Sequence, residues 1–576
     1  MTGKGMKNIP VHLQPYISKQ YYHCYTPIEH AVWRFVMKQN HFFLKDIAHP
    51  AYVNGLKDSG IKTESIPKVE DMNTSLEKVG WGAVTIDGLI PGSAFYGFLA
   101  EGILPIATEI RNIHNIAYTP APDMIHEAAG HAPILLDESY RKFVRKIGEM
   151  GAKALSSKEK LEVFMAVRHL TIVAEDPNST SEQVKEAEKQ VAEARTKVKG
   201  LTEADQVSRL FWWTVEYGLI GELDNPKIYG AGLLSSVGES QSCLKDDVRK
   251  IPFSIEECTM TPYNVTKPQP QLFVCKTFED LVAAVDQFAA TMAFRKGGTE
   301  SLDKALLTDS VATMVFSSGL QVSGTLDTIL KDKYGEAVYF RTKGPTALAF
   351  NNKQLGGHGR ETHRKGFGTP VGCLEGNIVL EDCSAEQLQK LGIIEQRIAK
   401  LTFQSGVKVK GTVKRILLAE GTPILISFSN CKVTYQGKLL FEPAWGTFDM
   451  AVGANVSSVF AGAADPNNYY DIPSNEEGAE KVEQQGWNEL ETLYGEIRGL
   501  REGQEWDEQR VAQVLTSLEE KYPKEWLLRL EILELYKMYH ADHPQIALIE
   551  ERLQTTNWDA SVNQMIQRGL TLILNS

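Results

Sequence analysis

Pro122-Asp-Met-Ile-His126-Glu127-Ala-Ala-Gly-His131-Ala-Pro133 is the segment on which the reading of the first half of the chain turns. Two histidines beside acidic residues suggest a metal site. The H-E-x-x-H pattern of zinc peptidases puts its ligands four apart on one helix face, whereas His126 and His131 lie five apart. In an ideal helix, residues at that spacing diverge by about 140°. The second histidine must then swing round where the helix ends, and Gly130 and Pro133 are placed to permit such a break. Two histidines and one later carboxylate would leave an open face on the metal, the arrangement of non-haem Fe(II) sites that use O₂. The bland alternative is a pair of histidines capping a helix end. Phe211-Trp-Trp-Thr-Val-Glu216-Tyr-Gly offers the third ligand. A glutamate among aromatics is costly unless it is paired or bound to a cation, or else points to solvent from a buried helix.

At 576 residues the chain is too long for one core, and roughly three or four domains are expected. It is 43% hydrophobic and 23% charged, which excludes wholesale disorder. A net charge of −12 over this length gives no footprint for nucleic acid or an anionic membrane, so neither is expected as a partner. Seven scattered cysteines without a C-x-x-C pair read as reduced thiols. With no apolar leader and no run long enough to span a membrane, a soluble cytoplasmic protein is expected.

The texture changes along the chain. Thr180-Ser-Glu-Gln183 has capping-box spacing, followed by Val184, Ala187, Val191, Ala194 and Val198 at a/d positions. Residues 157–199 therefore read as an inserted helical hairpin with Pro177 in its turn. Phe278 to Arg295 is an amphipathic helix pattern. After about Leu307 come short β-branched runs. There Phe316-Ser-Ser-Gly-Leu-Gln-Val-Ser-Gly-Thr-Leu-Asp-Thr-Ile-Leu330 matches Phe403-Gln-Ser-Gly-Val-Lys-Val-Lys-Gly-Thr-Val-Lys-Arg-Ile-Leu417. Two copies of one β unit would pack together to cover their apolar faces. From Asn475 onward the pattern is helical and acidic. The expected architecture is multidomain. A mostly α-helical part spans 1–305, a β-rich duplicated domain 310–465, and an α-helical tail 475–576. Residues 1–305 are expected to fold without the rest.

With both segments in view, the first half resembles the pterin-dependent aromatic amino acid hydroxylases. The likeness runs from about Pro15 to Arg295. It includes Ile66-Pro-x-x-Glu-Asp-Met72, Gly80-Trp-Gly82, Asp87-Gly-Leu-Ile-Pro91, Tyr118-Thr-Pro-Ala-Pro-Asp123, Tyr229-Gly-Ala-Gly-Leu-Leu-Ser-Ser236, Tyr263-Asn-Val-Thr266 and Phe288-Ala-Ala-Thr291. Ala121 departs from the family's usual Glu, and Phe211 from a frequent Tyr.

The resemblance implies a mostly helical catalytic domain that hydroxylates the ring of a free aromatic amino acid with Fe(II), a tetrahydropterin and O₂. His126, His131 and Glu216 match the iron ligands. Gly88, Leu89 and Phe95 match the pterin-binding segment, Phe95 as the stacking aromatic, and Glu127 a carboxylate near pterin and iron. Arg111 matches the arginine for the substrate carboxylate, held by Asp123. Thr119 and Ser235 match further contacts to the amino-acid end, and Pro122 and Trp212 the walls around the ring. Trp212, with the apolar Val265 as a specificity position, favours phenylalanine over tyrosine or tryptophan. The other class left open is a zinc hydrolase using the same three ligands with Glu127 as base. The resemblance is silent on residues 310–576, where self-association into a homo-oligomer is one role.

Overall fold

The computed structural model describes residues 9–116, 122–175, 179–265, 267–471 and 486–575. The first part is largely helical. Its central helix, Pro27–Phe43, begins at a capping box between Thr26 and Glu29 with proline in the first turn. It buries Val32, Trp33, Phe35 and Val36. Two small sheets accompany the helices. Strands β1 (Gly82–Ile86) and β2 (Ile103–Ala107) pair in parallel, and β3 (Leu219–Ile220), β4 (Lys227–Ile228), β5 (Arg249–Pro252) and β6 (Gln271–Cys275) run in the order β4-β3-β6-β5. The late helix covers Phe278–Thr291; Met292 is extended, and a short Ala293–Lys296 turn follows. The expected insertion holds two helices, Lys158–Glu175 and Ser181–Lys197. Thr180 and Gln183 close the capping box, and Ala187, Val191 and Ala194 are buried. Pro177 lies outside the described residues.

The second part is β-rich, with two antiparallel sheets built alike. Strands β7 (Val311–Phe316), β8 (Leu320–Lys331) and β9 (Ala337–Phe350) form a meander, and β9 also pairs with β10 (Lys353–Gln354) and β11 (Gly368–Pro370). In the same way β12 (Ile398–Thr402), β13 (Lys408–Ala419) and β14 (Thr422–Tyr435) form a meander, and β14 pairs with β15 (Lys438–Phe441) and β16 (Phe448–Ala451). The likeness extends to irregularities. Register shifts fall at Ser323/Thr325, Leu326/Thr328 and Leu330/Lys331 in one copy and at Lys410/Thr412, Val413/Arg415 and Leu417/Leu418 in the other, the same positions of the repeat. Bulges persist because they set strand curvature.

Each copy also completes the other. After β16 the chain crosses to pair β17 (Val456–Ala461) with β7, and after β11 Leu374 bridges to Phe403 just past β12. Gly372 and Gly453 meet where these crossings pass, through the Gly372 N–H donating to the Gly453 carbonyl at 3.2 Å.

The C-terminal helices, Glu489–Arg501, Glu508–Lys521, Leu527–Tyr539, Gln545–Thr555 and Ala560–Asn575, fold back on the first part. Trp526 meets Phe35 edge to face at 5.3 Å. Arg34, on the Pro27–Phe43 helix, forks onto both oxygens of Glu531 at 2.7 and 2.8 Å. Leu527, Leu530, Leu533 and Tyr536 join the same core as Trp33 and Val36. This packing argues against a 1–305 fragment that folds unaided. Losing the cover of each such side chain costs roughly 1.5–3 kcal/mol. Residues 1–305 expressed alone are therefore expected in the insoluble fraction, and co-expressing 486–576 should raise their soluble yield. Equal soluble yields with and without the helices would show that this face needs no cover.

Candidate active site

His126–His131 is a π-helical turn, and the chain continues as helix through Ala132–Ile134. In a π-turn the hydrogen bonds reach back five residues, so side chains five apart come round to one face. The imidazole Nε2 atoms stand 3.2 Å apart. The break expected at Gly130 and Pro133 is thus corrected: the helix widens where it was expected to end. Gly130 has a different use. A Cβ there would lie 2.7 Å from the Ala231 carbonyl oxygen, so only glycine lets the Ala231–Ser235 helix approach this closely.

Glu216 ends a second π-turn, Trp212–Glu216, which continues the Glu203–Phe211 helix. Its Oε2 lies 3.3 Å from His126 Nε2 and its Oε1 3.1 Å from His131 Nε2. Glu127 is more distant, 3.8 Å from His131 Nε2. His126, Glu127 and His131 together can offer donor atoms to one ion, and Glu216 stands nearer to both imidazoles than Glu127 does to His131. Donors at such spacing suit a shared cation bound at about 2.0–2.2 Å. The Glu127 Oε2 is buried with no hydrogen-bond partner, a polar atom that a bound group would satisfy. The residues fit a divalent metal.

The surroundings orient these groups. Ser235 donates its hydroxyl proton to the Ala231 carbonyl at 2.8 Å, so it accepts from His126 Nδ1 at 2.9 Å. That fixes the tautomer and turns the His126 Nε2 lone pair toward Glu216 and His131. Burial pushes the Glu216 carboxyl up, but His126 and His131 more than offset this and hold it far below its ordinary value. For Glu127 burial wins: despite His131, the carboxyl is pushed up to about 8, with Glu216 and Asp123 adding to the rise. Asp123 is buried, yet Arg111 holds its carboxyl down. The Arg111 guanidinium forks onto Asp123 at 2.8 and 2.7 Å and donates to the Ser235 carbonyl at 3.1 Å, while Asp123 also accepts the His126 N–H at 2.9 Å. One ion pair thus ties the arginine to the start of the π-turn.

A cavity of about 1200 Å³ opens beside this cluster. Its walls include Gly88, Leu89, Phe95, Arg111, Pro122 and Glu127, so the structure brings together most of the residues predicted for cofactor and substrate. Phe95 meets Phe211 edge to face at 5.4 Å. Other predicted residues are placed differently. Ser235 is buried and spends its hydroxyl on Ala231 and His126. Trp212 is stacked between Tyr217 at 4.6 Å and Tyr263 at 4.4 Å. Val265 is 41% exposed and is not among the residues that wall the cavity. Thr119 and Ala121 lie outside the described residues.

Sequence reasoning passed over Glu109, which lines the cavity and accepts the Gly88 N–H at 3.2 Å. Burial, with Asp87 adding to it, pushes its carboxyl up to about 7. The signal was a carboxylate two residues before Arg111. Lys160 and Phe164 of the inserted hairpin, and Thr325 and Tyr470 of the β-rich part, also wall the cavity. No local pattern announces contacts at that sequence distance.

The model of the biopterin-dependent aromatic amino acid hydroxylase family matches residues 19–175 and 197–299. Over those residues the chain is similar to this family. The interruption falls within the inserted hairpin, and the match stops before the β-rich part. The family's description makes its members biopterin-dependent. Among curated relatives, the phenylalanine-4-hydroxylase of Mesorhizobium japonicum is 28% identical over 49% of this chain and 87% of its own length. That of Pseudomonas aeruginosa is 29% identical over 43% and 79%. That of Rattus norvegicus is 30% identical over 41% and 42%. Among solved structures, the Chromobacterium violaceum phenylalanine hydroxylase with bound oxidized Fe(III) is 25% identical. It covers 47% of this chain and 84% of that one, with a TM-score of 0.38. Among the described residues no helix is long and apolar enough to cross a membrane.

Proposed function

We propose that this hydroxylase converts free L-phenylalanine to L-tyrosine, with His126, His131 and Glu216 holding Fe(II). The observation that carries the proposal is the meeting of the two π-turns beside a cavity that also presents Phe95 and Arg111. Fe(II) and a tetrahydropterin together supply the activation of O₂ that ring hydroxylation requires. The chain's own residues do the positioning. Arg111, preset by Asp123, presents a guanidinium edge to the substrate carboxylate. Phe95, Gly88 and Leu89, which line the same cavity, would hold the pterin, Phe95 by stacking. Glu127 stands between that pocket and the metal ligands. The walls contributed by the hairpin and by the β-rich part narrow the access of bulk water.

Phenylalanine is the proposed substrate because the relatives of known name act on it. Val265, exposed as it is, does not support the choice. The test is the specificity constant for each aromatic amino acid with Fe(II), O₂ and tetrahydrobiopterin. Phenylalanine should give the highest value, and a higher one for tyrosine or tryptophan would reassign the substrate.

Ser235 acts through His126. Ser235→Ala removes the acceptor that fixes the imidazole, and such partners typically contribute about 10–100-fold to metal affinity. Iron affinity is expected to fall by that factor with the fold retained, measured by competition with a chelator. Unchanged affinity would show that the tautomer is set elsewhere.

A further inference from the structure

The two β copies can be compared residue by residue because their bulges coincide. Thr328 and Arg415 are equivalent, and they face Arg341 and Ser427. On the next strands Gly368 pairs with Arg341, and Asp449 pairs with Ser427. So one copy has glycine where the other buries an aspartate. The segments leading to these positions differ too: residues 355–367 in the first copy, only 442–447 in the second. The longer segment carries His358 and His363. Its backbone lies against β9, where the Leu348 N–H donates to the His358 carbonyl at 2.9 Å and the Thr346 N–H to that of His363 at 3.1 Å.

These departures from internal symmetry converge. The two imidazoles stack at 5.6 Å with planes 16° apart, and His358 Nδ1 lies 3.3 Å from His363 Nε2. Asp449 Oδ1 accepts from the Ser427 hydroxyl. Its Oδ2 faces the same two nitrogens at 4.0 and 3.9 Å. Those gaps are too long for hydrogen bonds. A triangle with sides of 3.3, 3.9 and 4.0 Å has a centre about 2.2 Å from every corner, close to the bond lengths of zinc to imidazole and carboxylate. A buried carboxylate with one oxygen held and the other aimed between two imidazoles has the form of a cation site.

We propose that His358, His363 and Asp449 bind a divalent first-row transition ion, Zn(II) foremost, at the seam between the two β copies. Two imidazoles and one carboxylate suit such ions and not Mg²⁺ or Ca²⁺, which take oxygen donors. The ion would join the long segment of the first copy to β16 of the second. All three residues lie beyond residue 299, so the proposal is independent of the hydroxylase reading.

The experiment loads the full-length chain with Zn(II) alone, dialyses it exhaustively and measures zinc per chain. Asp449→Asn keeps the size of the side chain and a hydrogen-bonding partner for Ser427. It should bind one equivalent less than the unaltered chain, whatever the first site holds. His358→Gln should lose the same equivalent, and circular dichroism shows that each variant is folded. In a His126→Ala/His131→Ala background one equivalent should remain, and Asp449→Asn should remove it. Zinc content unchanged by Asp449→Asn, or no zinc retained in the double-histidine background, would overturn the proposal. The zinc-induced rise in melting temperature, lost in His358→Gln, gives a second reading if Asp449→Asn does not fold.

Discussion

Glu216→Ala is expected to bind no stoichiometric Fe(II) and to form no detectable tyrosine, while keeping its fold. The carboxylate stands 3.1 and 3.3 Å from the imidazoles, nearer than Glu127 stands to His131. Its removal leaves two histidines facing each other across a partly buried site. The loss should therefore appear in iron content and turnover, with little change in circular dichroism. Glu127→Ala is the contrast. Glu127 stands farther off, so its replacement should keep iron and impair the coupling of pterin oxidation to product. A folded Glu216→Ala protein with full iron occupancy would remove this residue from the site.

Glu531→Ala is expected to produce the largest loss of stability. It strips the partner from Arg34, whose side chain is 2% exposed, and also faces Arg501 at 3.8 Å. Breaking a buried pair by deleting one partner typically costs about 3–5 kcal/mol, because the remaining charge is stranded. The pair joins the C-terminal helices to the Pro27–Phe43 helix, so the first unfolding transition should move to lower temperature and lower denaturant. The pH dependence has a definite sign. Burial raises the Glu531 carboxyl, but Arg34 and Arg501 outweigh it and bring it from 4.5 down to about 2. A group depressed in the folded state contributes its stability above the unfolded value and loses it as pH falls through the folded one. The unaltered chain should therefore lose this contribution between about pH 4.5 and pH 2, and Glu531→Ala should show a shallower acid dependence there. Identical acid profiles for the two proteins would show that the pair is not coupled to folding.

What could be read from the sequence, and what could not, follows the range of the interactions. The capping box at Thr180 is local and forms, and of the a/d residues Ala187, Val191 and Ala194 are buried while Val198 falls at the helix end. The repeat at Phe316 and Phe403 was legible because the bulged strands need the same residues twice. His126, His131 and Glu216 were found as a set, but the way the first two meet was misread. A helix of ordinary pitch offers only four-residue alignment, and nothing in the residue types betrays a π-turn. Ser235 and Val265 were aligned with substrate contacts, yet the fold turns one toward His126 and leaves the other exposed. Two long-range pairings escaped altogether. The docking of Glu531 on Arg34 spans almost the whole chain, and His358 and His363 meet Asp449 only because the duplicated sheets cross.

The measurement that bears most directly on the central claim is isotopic. The purified chain, loaded with Fe(II), is given L-phenylalanine, a tetrahydropterin and isotopically heavy O₂, and the product is analysed by mass spectrometry. A pterin-dependent hydroxylase puts one heavy oxygen atom into the ring hydroxyl of tyrosine, and replacing Fe(II) with Zn(II) abolishes the product. Absence of heavy oxygen from any hydroxylated amino acid, together with a zinc-dependent hydrolysis, would contradict the account and return His126, His131 and Glu216 to a hydrolytic site.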